Sequence, residues 1–115
     1  MVKSVYEERK FWIMEINIGK DFNNVLTVKA VGKLDLDSSA EYGMRVKDAL
    51  EDDASIKELV LDFSGINYVA SIGLRVLLEL FQYMDSRGTM KVINVQDQVV
   101  NVLKMTGFDK FLNLS

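Results

Sequence analysis

One serine and two aspartates are the side chains best placed to act: Ser71 in "INYVASIGLRVLLELF", and Asp35 and Asp37 in "VGKLDLDSSAEY". The chain contains no histidine and no cysteine. The usual general base near neutral pH, thiolate nucleophiles, disulfides and the commonest transition-metal ligands are therefore all missing. With no histidine to activate it, and without the flanking glycines of a nucleophile elbow in "ASIGL", Ser71 is a poor hydrolase nucleophile. Two other roles suit a serine just ahead of a helical run. Its hydroxyl can accept from the N–H of Gly73 or Leu74 as an N-cap. It can also carry a phosphate, an anion that a helix start stabilises by a few tenths to about 1 kcal/mol through its free N–H groups and dipole. The two roles are compatible.

Asp35 and Asp37 form a weak divalent-cation pattern, because two carboxylates without further ligands are better read as a solvated loop. Asp62, in "ELVLDF", reads as a carboxylate bonding nearby loop N–H groups rather than as a ligand. Arg75 and Glu79 read as an exposed i,i+4 pair. Ile72 and Val76 would form an apolar patch around Ser71 if they are exposed. No glycine-rich loop of the kind that cradles nucleotide phosphates is present, which leaves a nucleotide-binding role far behind.

These side chains need elements to hold them. The 115 residues, 49% of them hydrophobic, fit a single domain with one core. That core is expected over about residues 11–114, with residues 1–10 outside it. A net charge of -3 does not favour direct binding to nucleic acid or to anionic membrane. Charged residues interrupt the start of the chain and the helix after Ser71, so neither an export signal nor a span of roughly 20 apolar residues is read; a cytoplasmic location is expected.

Alternation of Met14, Ile16 and Ile18, then of Leu26, Val28 and Ala30, predicts two half-buried strands joined by a turn at "GKDFNN". Ser38 and Glu41 are spaced for a capping box at the start of a helix carrying Tyr42, Val46, Ala49 and Leu50 on one face. "ELVLDF" predicts a central strand ending at the turn signal "SGIN". A second helix follows over about 72–87, closed by Gly88 as a C′ residue. "MKVINV" predicts another strand, and a third helix follows over about 97–106, closed by Gly107. The segment "FDKFLNLS" ends the chain as a short strand or a packed tail. Helical crossovers make strands two to four parallel, so the fold class is α/β: a mixed four- to five-stranded sheet with an N-terminal antiparallel hairpin and three to four helices. Functional loops then gather at the carboxyl ends of the parallel strands, after strands two, three and four.

Three segments, "VGKLDLDSSAEY", "LVLDFSGINYVASIGLRVLL" and "VNVLKMTGFDKFL", together resemble a STAS domain of the bacterial anti-sigma factor antagonist family. The resemblance runs from about Met14 to Leu114. It implies that Ser71 is a phosphoacceptor, that Gly73 and Leu74 are the helix-start pair, and that Asp35 lies near the partner surface. The implied partner-binding set is Asp35, Asp37, Ala70, Ser71, Ile72, Gly73, Leu74 and Val76, with no catalytic residue, metal or cofactor. Two positions depart from the family pattern: Ala70 stands where aspartate is usual, and Ile72 where serine, threonine or alanine is common. The implied function is binding of an anti-sigma factor, itself a serine kinase, to free a sigma factor, ended by phosphorylation of Ser71 and reversed by a phosphatase. The alternative is a STAS interaction subunit of a signalling scaffold or transporter-associated complex, in which Ser71 is only a cap.

Overall fold

The computed structural model describes residues 14–110 and 112–114; the expectation for residues 1–10 lies outside them. The elements follow in the order β1 (Glu15–Lys20), β2 (Val25–Leu34), α1 (Leu36–Asp52), β3 (Glu58–Val69), α2 (Ser71–Asp85), β4 (Thr89–Ile93), α3 (Asp97–Met105), a 3-10 turn (Phe108–Lys110) and β5 (Asn113–Leu114). The five strands lie in the sheet in sequence order. β1 pairs antiparallel with β2, and the other pairs are parallel, as the crossover argument requires.

The hairpin turn is built by its own side chains. Asp21 Oδ1 accepts from the N–H of Asn23 at 2.8 Å and of Val25 at 3.2 Å, and Asn24 takes a left-handed φ of 66°. Leu26, Val28, Ala30 and Leu34 of β2 face the core with Leu59, Leu61, Phe63, Ile66 and Val69 of β3. Tyr42, Val46 and Leu50 of α1, Leu77, Leu80 and Met84 of α2, and Val99 and Leu103 of α3 complete one cluster. Each large apolar side chain buried here contributes about 1.5–3 kcal/mol relative to exposure. None of the described helices is long and apolar enough to cross a membrane.

Four local expectations are corrected. First, β3 does not stop at "SGIN" but runs on to Val69. Gly65 is needed for a close approach rather than a turn, since a Cβ there would lie 2.6 Å from the Ala30 carbonyl oxygen. The pairing of β2 with β3 shifts register twice, between Lys29 and Val31 and between Gly32 and Lys33, and each shift places an extra residue on β3. Second, α1 starts one turn earlier than Ser38. Asp35 is its N-cap and Ser38, not Glu41, completes the capping box.

Third, Gly88 does not adopt the left-handed conformation of a C′ glycine, for the described glycines with positive φ are Gly32 and Gly107. It is instead wedged against the backbone of Lys57. Gly107, with φ 80°, does close α3 as expected. Fourth, Arg75 and Glu79 are both exposed and form no ion pair among the described residues.

Candidate functional site

The loops at the carboxyl ends of the strands do not form one level rim. β3 pairs with β4 only from Glu58 to Asp62, while its pairing with β2 continues to Val69 opposite Leu34. The edge is therefore stepped. "QDQ", after β4, is tied to the lower step, where the Gln96 side-chain amide donates to the Ser64 carbonyl at 2.8 Å. Ser71 lies beyond Val69, five or more residues higher, which at the rise of a strand is roughly 16 Å. The expected gathering of all three loops is thus corrected: those after β2 and β3 meet, and the loop after β4 stays below.

A single backbone bond joins the upper loops. Ala70 N–H donates to the Leu34 carbonyl at 2.8 Å, and the next residues on either side are Ser71 and Asp35. α1 and α2 consequently begin side by side. Gly73 allows this docking, because a Cβ there would lie 3.0 Å from Leu34 Cβ, from the Leu34 carbonyl oxygen and from Val69 Cγ1.

The two helix starts are satisfied differently. At α1, Asp35 Oδ1 accepts from Ser38 N–H at 3.3 Å while Ser38 Oγ accepts from Asp35 N–H at 3.0 Å. The Ser38 hydroxyl also lies 2.9 Å from Asp35 Oδ1 and against the Lys33 carbonyl, so its one proton serves two acceptors. The Ser38 hydroxyl, followed by the Ser38 N–H, holds the Asp35 carboxyl below the ordinary carboxylate value. At α2 the N-cap is Ala70, which has no side-chain acceptor. The first helical bond runs from Leu74 N–H to the Ala70 carbonyl at 3.0 Å, leaving the N–H groups of Ser71, Ile72 and Gly73 without helical acceptors. Ser71 is the first helical residue and not the cap, which corrects the capping expectation. It is exposed, and its hydroxyl has no hydrogen-bond partner among the described residues.

A stability prediction follows from the Asp35 cap. Its folded-state pKa is lowered, so its stabilisation is present above about pH 3.8, the ordinary value, and is lost as pH falls through the lower folded value. Asp35→Ala is expected to lower Tm by a few degrees at neutral pH, and the gap to the unsubstituted protein closes in acid. Thermal melts over a pH series measure this; a gap that stays constant into acid contradicts the cap's ionic contribution.

The expected contact residues separate by burial. Asp37 and Ser71 are exposed, and Asp35, Ala70 and Ile72 are half-buried on the same upper edge. Gly73, Leu74 and Val76 are buried within the free protein. Gly73 and Leu74 act there as packing that fixes the start of α2, and Val76 faces α1 at Gly43 instead of forming an exposed patch around Ser71. Asp62 accepts from Ser64 N–H at 2.9 Å and from Asn94 Nδ2 at 3.3 Å. Burial pushes its pKa up, but these bonds together with the Ser64 hydroxyl outweigh it and hold the carboxyl low.

Sequence reasoning missed two apolar residues on this edge, Leu36 at 72% exposure and Tyr68 at 50%. The signals were there: Leu36 lies between two aspartates ahead of the buried stripe of α1, and Tyr68 alternates with the buried Val69. The upper edge therefore combines a free hydroxyl, unmet N–H groups, two carboxylates and exposed apolar side chains. It has the makings of a protein-contact surface that a charge on Ser71 can alter.

Similar architecture occurs in solved structures. An anti-sigma factor antagonist from Mycobacterium paratuberculosis superposes with a TM-score of 0.77 at 21% identity, covering 88% of this chain and 84% of that one. The Bacillus cell fate determinant SpoIIAA, in its phosphorylated form, gives a TM-score of 0.67 at 12% identity over 88% of this chain and 91% of that one. The inward-facing structure of a murine solute carrier 26 family anion transporter gives 0.72 at 18% identity, covering 98% of this chain but 22% of the transporter. At these identities the likeness is one of fold. The sequence model of the STAS domain matches residues 20–115, nearly the whole chain, and with the fold just described it shows that the chain belongs to the STAS domain family.

Proposed function

We propose that the protein is an anti-sigma factor antagonist: its upper edge binds an anti-sigma factor with serine-kinase activity and so releases a sigma factor, and phosphorylation of Ser71 ends the binding. The observation that carries this reading is the state of Ser71, exposed, without a hydrogen-bond partner among the described residues, and in the first turn of a helix whose N-cap offers no side-chain acceptor. A phosphate there meets free N–H groups and the positive end of the helix dipole, so the modified chain keeps its fold while the edge gains negative charge beside Asp35 and Asp37. Likeness to structures described as anti-sigma factor antagonists supports the choice of partner. The protein contributes a surface and no reaction of its own; ATP belongs to the kinase, a phosphatase resets Ser71, and the setting is the cytoplasm.

Incubation with the cognate kinase and ATP, followed by mass-spectrometric mapping, is expected to place one phosphate on Ser71. Phosphate elsewhere, or none with a kinase shown to be active, defeats the switch.

The alternative reading is an interaction subunit that is never phosphorylated, within a signalling scaffold or transporter-associated complex. Ala70 in place of the family's usual aspartate favours it, as does the likeness to a domain-sized part of the anion transporter. Under this reading the same incubation leaves Ser71 unmodified while the partner still binds.

A further inference from the structure

Away from the upper edge, a groove of about 360 Å³ runs between α1 and α2, lined by Gly43, Met44, Lys47, Val76, Glu79 and Tyr83. Its floor is made by close approach of the helices: a Cβ on Gly43 would lie 2.9 Å from Val76 Cγ1. Met44 stands at its rim, 58% exposed. α1 brings a cation to the groove and α2 an anion. On α1, Lys47 places its ammonium 5.6 Å from the centre of the Tyr83 ring. On α2, Glu79 has no ion-pair partner among the described residues, although Arg75 is one turn away. Lys47 of α1 thus reaches over a ring of α2, while Glu79 of α2 has no ion-pair partner among the described residues, and an apolar knob stands beside a depression.

That pattern is self-complementary. α1 and α2 each return from the carboxyl to the amino end of the parallel strands, so they run in the same direction. A two-fold axis laid along the groove sets α1 of one copy over α2 of the other. Lys47 then faces Glu79 of the second copy, twice per dimer, and each Met44 enters the opposing groove. An axis across the groove instead sets Lys47 against Lys47 and Glu79 against Glu79. From this charge complementarity we infer that the groove is the homodimer interface of the protein, with the occupant of each groove a second copy of this chain in the parallel arrangement. Both Ser71 edges then emerge on the same side of the dimer. The inference does not depend on the partner or on phosphorylation of Ser71.

Sedimentation equilibrium of the whole chain tests it, with two single charge reversals, Lys47→Glu and Glu79→Lys. Both side chains are exposed, so each variant keeps the fold. The unsubstituted chain is expected to form a reversible dimer. Each variant alone sets like charges together twice and raises the dimer Kd by roughly a hundredfold. Mixed, the two variants restore both attractive pairs and form a heterodimer. A chain that stays monomeric at millimolar concentration, a dimer unmoved by either reversal, or a mixture that fails to associate overturns the inference.

Discussion

Ser71→Asp is expected to weaken binding of the proposed anti-sigma partner by about a hundredfold while leaving Tm unchanged or slightly raised. The two halves of this result have separate causes. Ser71 is exposed on an edge shared with Leu36, Tyr68, Asp35 and Asp37. A partner that covers the neutral hydroxyl must desolvate an added carboxylate next to two existing ones, and an unpaired charge in an interface costs several kcal/mol. Within the free protein the same carboxylate lies in the first turn of α2, where the dipole and unmet N–H groups favour it by a few tenths to about 1 kcal/mol.

Isothermal titration with the partner and thermal melts read the two effects independently. Ser71→Ala is the companion variant: it keeps affinity, because no hydrogen bond to the Ser71 hydroxyl is lost within the described structure, and it removes the phosphoacceptor. Equal affinity of Ser71→Asp and the unsubstituted protein would mean that the partner does not cover this edge.

Gly88→Ala is expected to destabilise the fold by about 3 kcal/mol, the upper end of overpacking costs. A Cβ at Gly88 would lie 1.8 Å from the Lys57 carbonyl oxygen and 2.7 Å from the Lys57 carbonyl carbon. Neither side has slack. Thr89 N–H donates to that same carbonyl at 2.9 Å, and Glu58 and Thr89 are the first paired residues of β3 and β4. Relief therefore requires parting the central parallel pair at its base. Urea denaturation measures the loss, and Gly19→Ala is the control. No atom lies within 4 Å of the Cβ position of Gly19 and its φ is not positive, so that substitution is near neutral. If Gly88→Ala costs no more than the control, the close approach to Lys57 is not a constraint on the fold.

Gly88 also illustrates how far the fold was legible in the sequence. Its place after an apolar helix was readable from the order of residues, but a C-terminal glycine that needs left-handed φ and one that needs an absent side chain have the same signature. Only the position of Lys57, 31 residues earlier in the chain, distinguishes them. The same limit explains "SGIN". Serine, glycine and asparagine mark turns locally, yet here Gly65 serves contact with Ala30 of the neighbouring strand, and the extra residues of β3 are taken up as register shifts.

Periodicity and element order were read correctly. The alternation in β1 and β2, the buried face of α1, and the parallel crossovers all follow from periodicity and element order. On the upper edge, Ser71, Asp35 and Asp37 were singled out as candidates by residue type, and the likeness to the family added Ala70 and Ile72. The Asp35–Ser38 box was displaced by one turn because Ser38–Glu41 satisfies the same spacing rule. Leu36 and Tyr68 escaped because exposure of an apolar residue depends on which neighbours fail to cover it.

The stepped edge also sets how the molecule yields. Below Asp62, β3 is held in a ladder by strands on both sides; above it, among the described residues, its strand ladder runs to β2 alone, with the Gln96 amide on the Ser64 carbonyl as a side-chain tie. Backbone amides of the lower half can exchange with solvent only when the centre of the sheet comes apart, whereas the overhanging half needs release from a single neighbour. The lip that carries Ser71 is thus the compliant part of a stiff foundation. Under the proposed switch, a kinase that draws the serine into its own cleft works against one strand ladder and the buried Phe63, Ile66 and Val69 rather than against the whole sheet.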